Sequence, residues 1–424
     1  MSAVLGIALP EKWSTARLKH VTSLLNRGSA PTYVDQGPVR AISQAANQAA
    51  GLDWTRTRFH EFSGDPRKLK GFLRRDDVLI NSTGTGTLGR VGYFTESPDE
   101  LPCMADSHVT VVRGAPDELD SRYAYYWLGS RPFQEYVYTA LIVGATNQIE
   151  LNRDRLGDAP IPLPSLEEQR RIADFLDAET ARIDLLSQRF SRLKELAVER
   201  ARAVIDQSFS ELPQNSMVPV SSVCRAIVDC VNKTAPTSEA STGFKMIRTS
   251  NIRDGRVDLT DCFTVERGVF VEWNRRGAPR VGDILLTREA PLGQVGMLLT
   301  DSPVFLGQRV MLYRADETEM RREVLLFNFL ASHMGQQFRM LGAGSLHEHM
   351  RVGDGLKLRV HCPPRQMQDA LVDRIEAGRE QSVRLSQLAD RQVALLAERR
   401  QSLISAAVTG QFDVSTASGR NVTE

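Results

Sequence analysis

From Ser165 onward the apolar residues fall at Ile172, Leu176, Ile183, Leu186, Phe190, Leu193, Ala197 and Val204, with Glu179 and Arg200 as polar interruptions. Steps of four and three make this a heptad seam on a helix. No glycine or proline lies between Ser165 and Leu212, and Pro213 supplies the stop. Pro164, Ser165 and then Glu167-Glu168 supply the start, because a hydroxyl and early acids suit the free N–H groups of a first turn. The pattern predicts a helix of about 45 residues, which is ~65 Å at 1.5 Å per residue. Such a helix needs a long partner. A second, poorer seam runs from about Arg365 to Val408: Leu371, Ile375, Leu385, Leu396 and Leu403, with Gly378, Ser382 and Gln392 in register positions and Gly410 closing it. The two are expected to pair as an antiparallel coiled coil. The plainer alternative is a helical hairpin inside one domain, which the long globular stretch between them disfavours.

These two segments are copies. Gln169 falls on Gln368, Ile172 on Leu371, Leu176 on Ile375, Glu199-Arg200 on Glu398-Arg399 and Ile205 on Ile404, all at one offset of 199 positions. The preceding regions match more loosely: DDVLINSTGTGTLGRVGYF (76–94) with GDILLTREAPLGQVGML (282–298), and YAYYWLGS (123–130) with LLFNFLAS (325–332). Internal repetition of this kind decides the architecture. The expectation is an α+β protein: two mixed globular domains, 1–162 and 213–362, joined by long helices at 163–212 and 363–414, with a pseudo-two-fold repeat and a disordered tail at 415–424.

Within the globular regions VLINST and ILLTRE read as short strands. DELDSRYAYYWLGSRPFQEYV reads as one amphipathic helix from near Asp117, with a counterpart from about Glu319 to Met340. Its Tyr123, Tyr126, Trp127 and Leu128 are expected in the core rather than as a base-stacking platform. Gly84 to Gly89 spells G-x-G-x-x-G, but the chain continues into RVGYF, strand-like, where a dinucleotide site needs a helix. It is read as a tight turn.

Composition changes the picture little. Of 424 residues, 42% are hydrophobic and 25% charged, the balance of a globular protein. No apolar run reaches a membrane span, and MSAVLGIALPEKW lacks the form of a secretory signal, so a cytoplasmic protein without a membrane partner is expected. The five cysteines form no C-x-x-C pair, against zinc or a disulfide framework. A net charge of +1 means that any nucleic-acid contact must use local basic patches or charge from partners. Such patches exist. The first region offers Lys68, Lys70, Arg74 and Arg75, then Ser82, Thr83, Thr85, Thr87 and Arg90, and Asn147-Gln148. The second offers Arg248, Asn251, Arg253, Arg276, Arg288 and Gln294. Arg, Asn and Gln pair with base edges, while Lys, Ser and Thr hold phosphate. Catalytic motifs are missing: no phosphate loop, no Asn/Asp-Pro-Pro-Tyr/Phe, no H-E-x-x-H. His347-Glu348-His349 has no third ligand in sight, and Asp65 with Lys68 and Lys70 lacks the several acids that a magnesium site needs. No metal and no catalytic residue is expected in this chain.

IPLPSLEEQRRIADFLDAETARIDLL (161–186) resembles the central signature of type I restriction–modification specificity subunits, and LLAERRQSLISAAVTGQFDV (395–414) resembles their C-terminal one. The stretch 76–94 and its twin at 282–298 look like parts of their target-recognition domains. The resemblance runs from Trp13 to Val414. It implies that each globular region reads one half of a bipartite sequence in double-stranded DNA, and that the paired helices set the unread gap. It also implies that two methyltransferase subunits dock on the helices, with restriction (helicase–nuclease) subunits beyond them. S-adenosylmethionine, ATP and Mg²⁺ would sit on those partners, with no cofactor in this chain. Where the first helix has Leu166-Glu167-Glu168-Gln169, the second has Arg365-Gln366-Met367-Gln368, so the two docking faces are expected to differ. The competing expectation is a coiled-coil adaptor whose globular halves bind protein.

Overall fold

The computed structural model describes residues 2–48, 51–84, 86–144, 149–289, 291–342 and 349–414. The chain forms two compact units: residues 1–190 with 391–424, and residues 191–390. Each long helix, Leu166–Ser210 and Arg365–Val408, contributes to both.

Unit one is built on an antiparallel sheet in the order Val91–Phe94, Asp77–Asn81, Val109–Gly114, Thr22–Arg27. Every residue of Asp77–Asn81 is buried. Alternation explains how: successive side chains of a strand point to opposite faces. Val78 and Ile80 join the core formed with Tyr123, Trp127 and Leu128, while Leu79 packs with Ile42, Cys103 and Ala105. Ile42 and Cys103–Ala105 belong to a second sheet, in which Cys103–Ala105 runs parallel to Val39–Ile42. Strand Pro160–Leu163, which leads to the first long helix, pairs with Ser14–Arg17.

Unit two repeats this plan. Its sheet runs Cys224–Asp229, Val310–Ala315, Ile284–Thr287, Val295–Met297 before two extra strands. Ile284 and Leu286 face the helical core and Leu285 faces Ile247 and Leu306. The parallel pair is Lys245–Ile247 with Val304–Leu306. Arg359–His361, which leads to the second long helix, pairs with Met217–Pro219.

Two polar anchors recur. In unit one the buried Asp77 carboxylate accepts from Arg113 at 2.6 and 2.7 Å and from the Arg74 N–H at 2.7 Å. In unit two Asp283 accepts from Arg314 at 2.8 and 2.7 Å and from the Arg280 N–H at 2.7 Å. The second anchor is the glutamine that the sequence aligned. Gln169 accepts from the Asp120 N–H and donates to the carbonyls of Glu118 and Pro164. Gln368 accepts from the Arg321 N–H and donates to Glu319 and Pro363. Both amides are buried and fully used, and so each fixes one helix start to one globular core.

Within each unit, late residues of the first helix meet early residues of the second, or the reverse, which is antiparallel pairing. In unit one Arg400 forms an ion pair with Asp184, and the Tyr123 hydroxyl donates to the carbonyl of Val408. In unit two Lys194 meets Asp390 at 2.7 Å, Arg200 meets Gln381 at 2.8 Å and Arg374 meets Glu211 at 2.5 Å. Ile172, Leu176, Ile183, Leu371, Ile375 and Leu396 are buried, and Leu186, Phe190, Leu385 and Leu403 are half-buried. Leu193 departs from the expected seam and is exposed. Its neighbour Lys194 meets a carboxylate there, so the facing surface is polar. Ala197, Ile205 and Phe209 are the buried positions that follow. Gly378 is a close approach rather than a gap, since a Cβ there would come within 2.8 Å of Val204.

The aromatic segment is not one helix. Asp120 caps Ser121–Gly129, the chain turns at extended Ser130, and Arg131–Tyr136 starts anew with Pro132 in its first turn. Proline lacks an N–H and clashes with the preceding turn, which ends a helix. Unit two breaks at the equivalent place, between Arg322–Leu330 and Ser332–Gly342.

Candidate nucleic-acid interface

The sequence candidates separate into exposed and internal groups. Lys68 and Lys70 are exposed beside the short turn Pro66–Lys68, whose first turn is capped by the Asp65 carboxylate on the Arg67 N–H at 3.0 Å. Asp65 is thus a structural cap. Arg74 and Arg75 are exposed in the turn before Asp77, and Arg75 lies 3.6 Å from Glu96. Arg253 is exposed in unit two. The side chains of Lys68, Lys70, Arg74 and Arg253 have no carboxylate partner among the described residues, and their charge is free for an anion such as phosphate.

Others turn inward. Ser82 is fully buried, its hydroxyl 2.5 Å from Thr110 Oγ1. Asn251 is buried and caps its own turn, accepting from the Arg248 N–H at 2.9 Å. Arg288 is buried against Asp229 at 3.1 Å. Residue type made these three candidates, but their places beside strands or in a turn leave them buried. Arg90 donates to the Asn47 carbonyl and Gln48, and the Thr87 hydroxyl to the Thr83 carbonyl. Arg248 lies 3.8 Å over the Phe263 ring, a cation–π contact, and donates to the Asp261 carbonyl. Arg276 donates to the Cys230 carbonyl, and the Gln294 N–H to Thr287 Oγ1. Thr85, Asn147, Gln148, His347, Glu348 and the tail 415–424 lie outside the described residues. Gly84, Gly86 and Gly89 all have positive φ in the hairpin turn between Asp77–Asn81 and Val91–Phe94, with no helix following.

Gln44 and His108 in unit one, and Glu289 and Arg309 in unit two, escaped the sequence reading. Asn81 pairs with Val109, and the next step is the Ser82 N–H donating to the His108 carbonyl at 2.7 Å. Unit two repeats it: Thr287 pairs with Val310, and the Arg288 N–H donates to the Arg309 carbonyl at 2.8 Å. The side chains one position further meet. In unit one the Thr83 hydroxyl lies 2.8 Å from His108 Nδ1 and donates to Gln44 Oε1 at 3.0 Å. In unit two Arg309 meets Glu289 at 2.8 Å. Beside His108, the Asp106 carboxyl is pushed above its usual range by burial, although it accepts from the His108 N–H at 2.8 Å. Only strand register brings these residues together, so no local pattern points to them. Among the described residues no three His, Cys, Asp or Glu side chains gather to hold a metal ion, and no helix is long and apolar enough to cross a membrane.

The fold of this chain, a repeated α+β unit leading each time into a long helix, is similar to that of a solved HsdS subunit. The HsdS subunit from Thermoanaerobacter tengcongensis matches over 95% of this chain and 98% of its own, with a TM-score of 0.57 at 16% identity. A chain solved in work on complex assembly and conformational transition of the type I R-M system matches over 96% and 100%, with a TM-score of 0.66 at 18% identity. Residues 66–195 match the type I restriction modification DNA specificity domain. The type I restriction enzyme EcoBI specificity subunit of Escherichia coli is 22% identical over 288 residues, 56% of this chain. A putative type I restriction enzyme specificity subunit of Haemophilus influenzae is 23% identical over 325 residues, 72% of this chain. The aligned stretches span 58% and 75% of those two relatives. Over these stretches the chain is similar to type I restriction–modification specificity subunits.

Proposed function

We propose that this chain chooses the DNA sequence for a type I restriction–modification complex and performs no catalysis itself. Each unit reads one half of a split target. The paired helices act as a continuous antiparallel coiled coil that sets the unread gap and docks two methyltransferase subunits. Those partners, and the restriction subunits beyond them, carry S-adenosylmethionine, ATP and Mg²⁺. Exposed Lys68, Lys70, Arg74 and Arg253 hold phosphate, which fixes register without reading sequence. Joining two weak half-site readers raises the effective concentration of the second once the first is bound. A near-neutral chain suits this role if its partners supply much of the basic surface.

The observation that carries the reading is a repeat in which the anchors Asp77/Asp283 and Gln169/Gln368 are kept and the loop chemistry changes. Such a chain holds two readers in equivalent positions while letting them read different bases. The test is to express it with its methyltransferase partner and sequence the modified bases of the host. One split, adenine-containing motif is expected. Methylation at many unsplit, unrelated sites overturns the reading.

A further inference from the structure

We propose that the side-chain pair at the shared register step is a specificity-determining contact of each unit, with Glu289 and Arg309 reading a G·C pair and His108 with Gln44 reading adenine. The proposal rests on the reading of the chain as a DNA-specificity subunit.

Backbone equivalence comes first. The ladder positions Asn81–Val109 and Thr287–Val310 and the following N–H···O bonds put Thr83 and His108 where unit two has Glu289 and Arg309. The scaffold beneath is the same in both units, down to the buried Asp–Arg anchor. The side chains on top differ in charge and in hydrogen-bonding pattern. A fixed frame with exchanged polar heads is what two readers of different bases require.

In unit two the heads are charged and accessible. Arg309 is 49% exposed and Glu289 29%. An ion pair this open contributes little to stability, so folding does not explain it. Arg309 also holds φ at +69°, a left-handed conformation uncommon for residues other than glycine. Strain of this kind collects at functional sites. A guanidinium pairs with guanine O6 and N7, and a carboxylate accepts from cytosine N4. The two partners of one G·C pair, or of neighbouring pairs, therefore match the two heads.

In unit one the hydrogen-bond directions determine what faces outward. Thr83 has one hydroxyl proton and gives it to Gln44 Oε1. Its contact with His108 Nδ1 must then be donated by the imidazole. In the neutral tautomer that makes this contact the proton is on Nδ1, and Nε2 is left as an acceptor. The Gln44 carboxamide, with its oxygen occupied, is left with its NH₂ as a donor. Its seat is tight, since a Cβ on Gly84 would come within 2.5 Å of Gln44 Oε1. The Gln44 carbonyl accepts from Asn81 Nδ2 at 3.2 Å, which holds the backbone. One donor beside one acceptor is the complement of adenine, which shows an acceptor at N7 and a donor at N6.

The experiment uses the full-length chain in complex with its methyltransferase partner and reads the methylated motif by sequencing modified bases. Arg309→Asn keeps a residue that tolerates positive φ, and His108→Phe removes the acceptor. Arg309→Asn is expected to cut the preference for G·C at one position of one half-site on the order of 10- to 100-fold, leaving the other half-site unchanged. His108→Phe is expected to do the same at an adenine of the other half-site. Glu289→Gln is nearly isosteric and guards against a misfolded variant; it is expected to relax the same half-site as Arg309→Asn. Unchanged base preferences in these variants overturn the proposal. Failure of the wild-type complex to give any split motif instead overturns the reading on which it rests.

Discussion

The two units share anchors but not packing where the helices meet the globular cores. At the 199-residue offset, Ile183, Leu396 and Arg400 of unit one correspond to Ser382, Ala197 and Ala201 of unit two. Unit one fills this place: Ile183 and Leu396 are buried, and Arg400 pairs with Asp184. Unit two has a solvent-open pocket of about 640 Å³, lined by Ala197, Ala201, Ser382, Phe329 and Phe338 among others. Three smaller side chains contribute to the space. The difference teaches that the fold is specified by its saturated polar anchors and by sheet alternation, while helix-to-core packing is free to loosen in one copy.

If the anchors carry the fold, breaking one should cost the same in either unit. Asp77→Ala and Asp283→Ala each leave a partly buried guanidinium without its carboxylate. Loss of about 3–5 kcal/mol is expected in the unit concerned. Urea unfolding of the full chain, followed by hydrogen exchange to assign each transition to a unit, measures both. A large effect in one unit and none in the other would break the equivalence.

The packing difference gives effects of opposite sign. Ile183→Ser opens in unit one the space that unit two already has, and a loss of about 2–4 kcal/mol is expected. Ser382→Ile adds apolar bulk to one wall of the unit-two pocket and is expected to stabilise that unit by about 1 kcal/mol. Thermal unfolding of the two variants decides it. Destabilisation by Ser382→Ile would mean that the pocket walls are rigid and the substitution overpacks them.

Much of this architecture was legible in the sequence because helices of this length announce themselves. The seam and its stops give Arg365–Val408 as the second helix, the span observed. Ser165 was expected as the start of the first, and its hydroxyl accepts from the Glu168 N–H. The offset that aligned Gln169 with Gln368 found a working anchor. What failed was inference from residue type. Ser82, Asn251 and Arg288 have side chains suited to DNA, but strand register and turn geometry spend them inside. In unit one His108 meets Thr83, and in unit two Arg309 meets Glu289, only across a sheet ladder, and a ladder register is set by tertiary packing. Leu193 fits the heptad by spacing, yet a seam position is buried only if the facing surface is apolar.

A smaller contrast concerns acid. At the end of the first long helix, unit two stacks Phe209 on His361 at 5.6 Å, with His333 edge-on to His361 at 5.0 Å. The repeat places Pro162 at the position of His361, and the matching of 123–130 with 325–332, carried forward, places Arg131 at that of His333. Burial and the neighbouring His361 push His333 down to about 4, against a weaker opposing pull from Asp206. Burial lowers His361 as well. Asp206 is committed to the Ser332 N–H and hydroxyl, and His361 Nδ1 to the Ser216 hydroxyl at 2.7 Å. The unfolded chain takes up these protons near pH 6.5 and the folded chain only at lower pH. The contribution from His333 is therefore complete above about pH 6.5, falls as pH drops towards 4 and changes no further below that. Melting of unit two is expected to decline over this window, and His333→Phe is expected to flatten the decline while leaving unit one unaffected. An unchanged slope in His333→Phe would show that His333 does not carry the acid sensitivity, and the contrast between the units would then lie in packing alone.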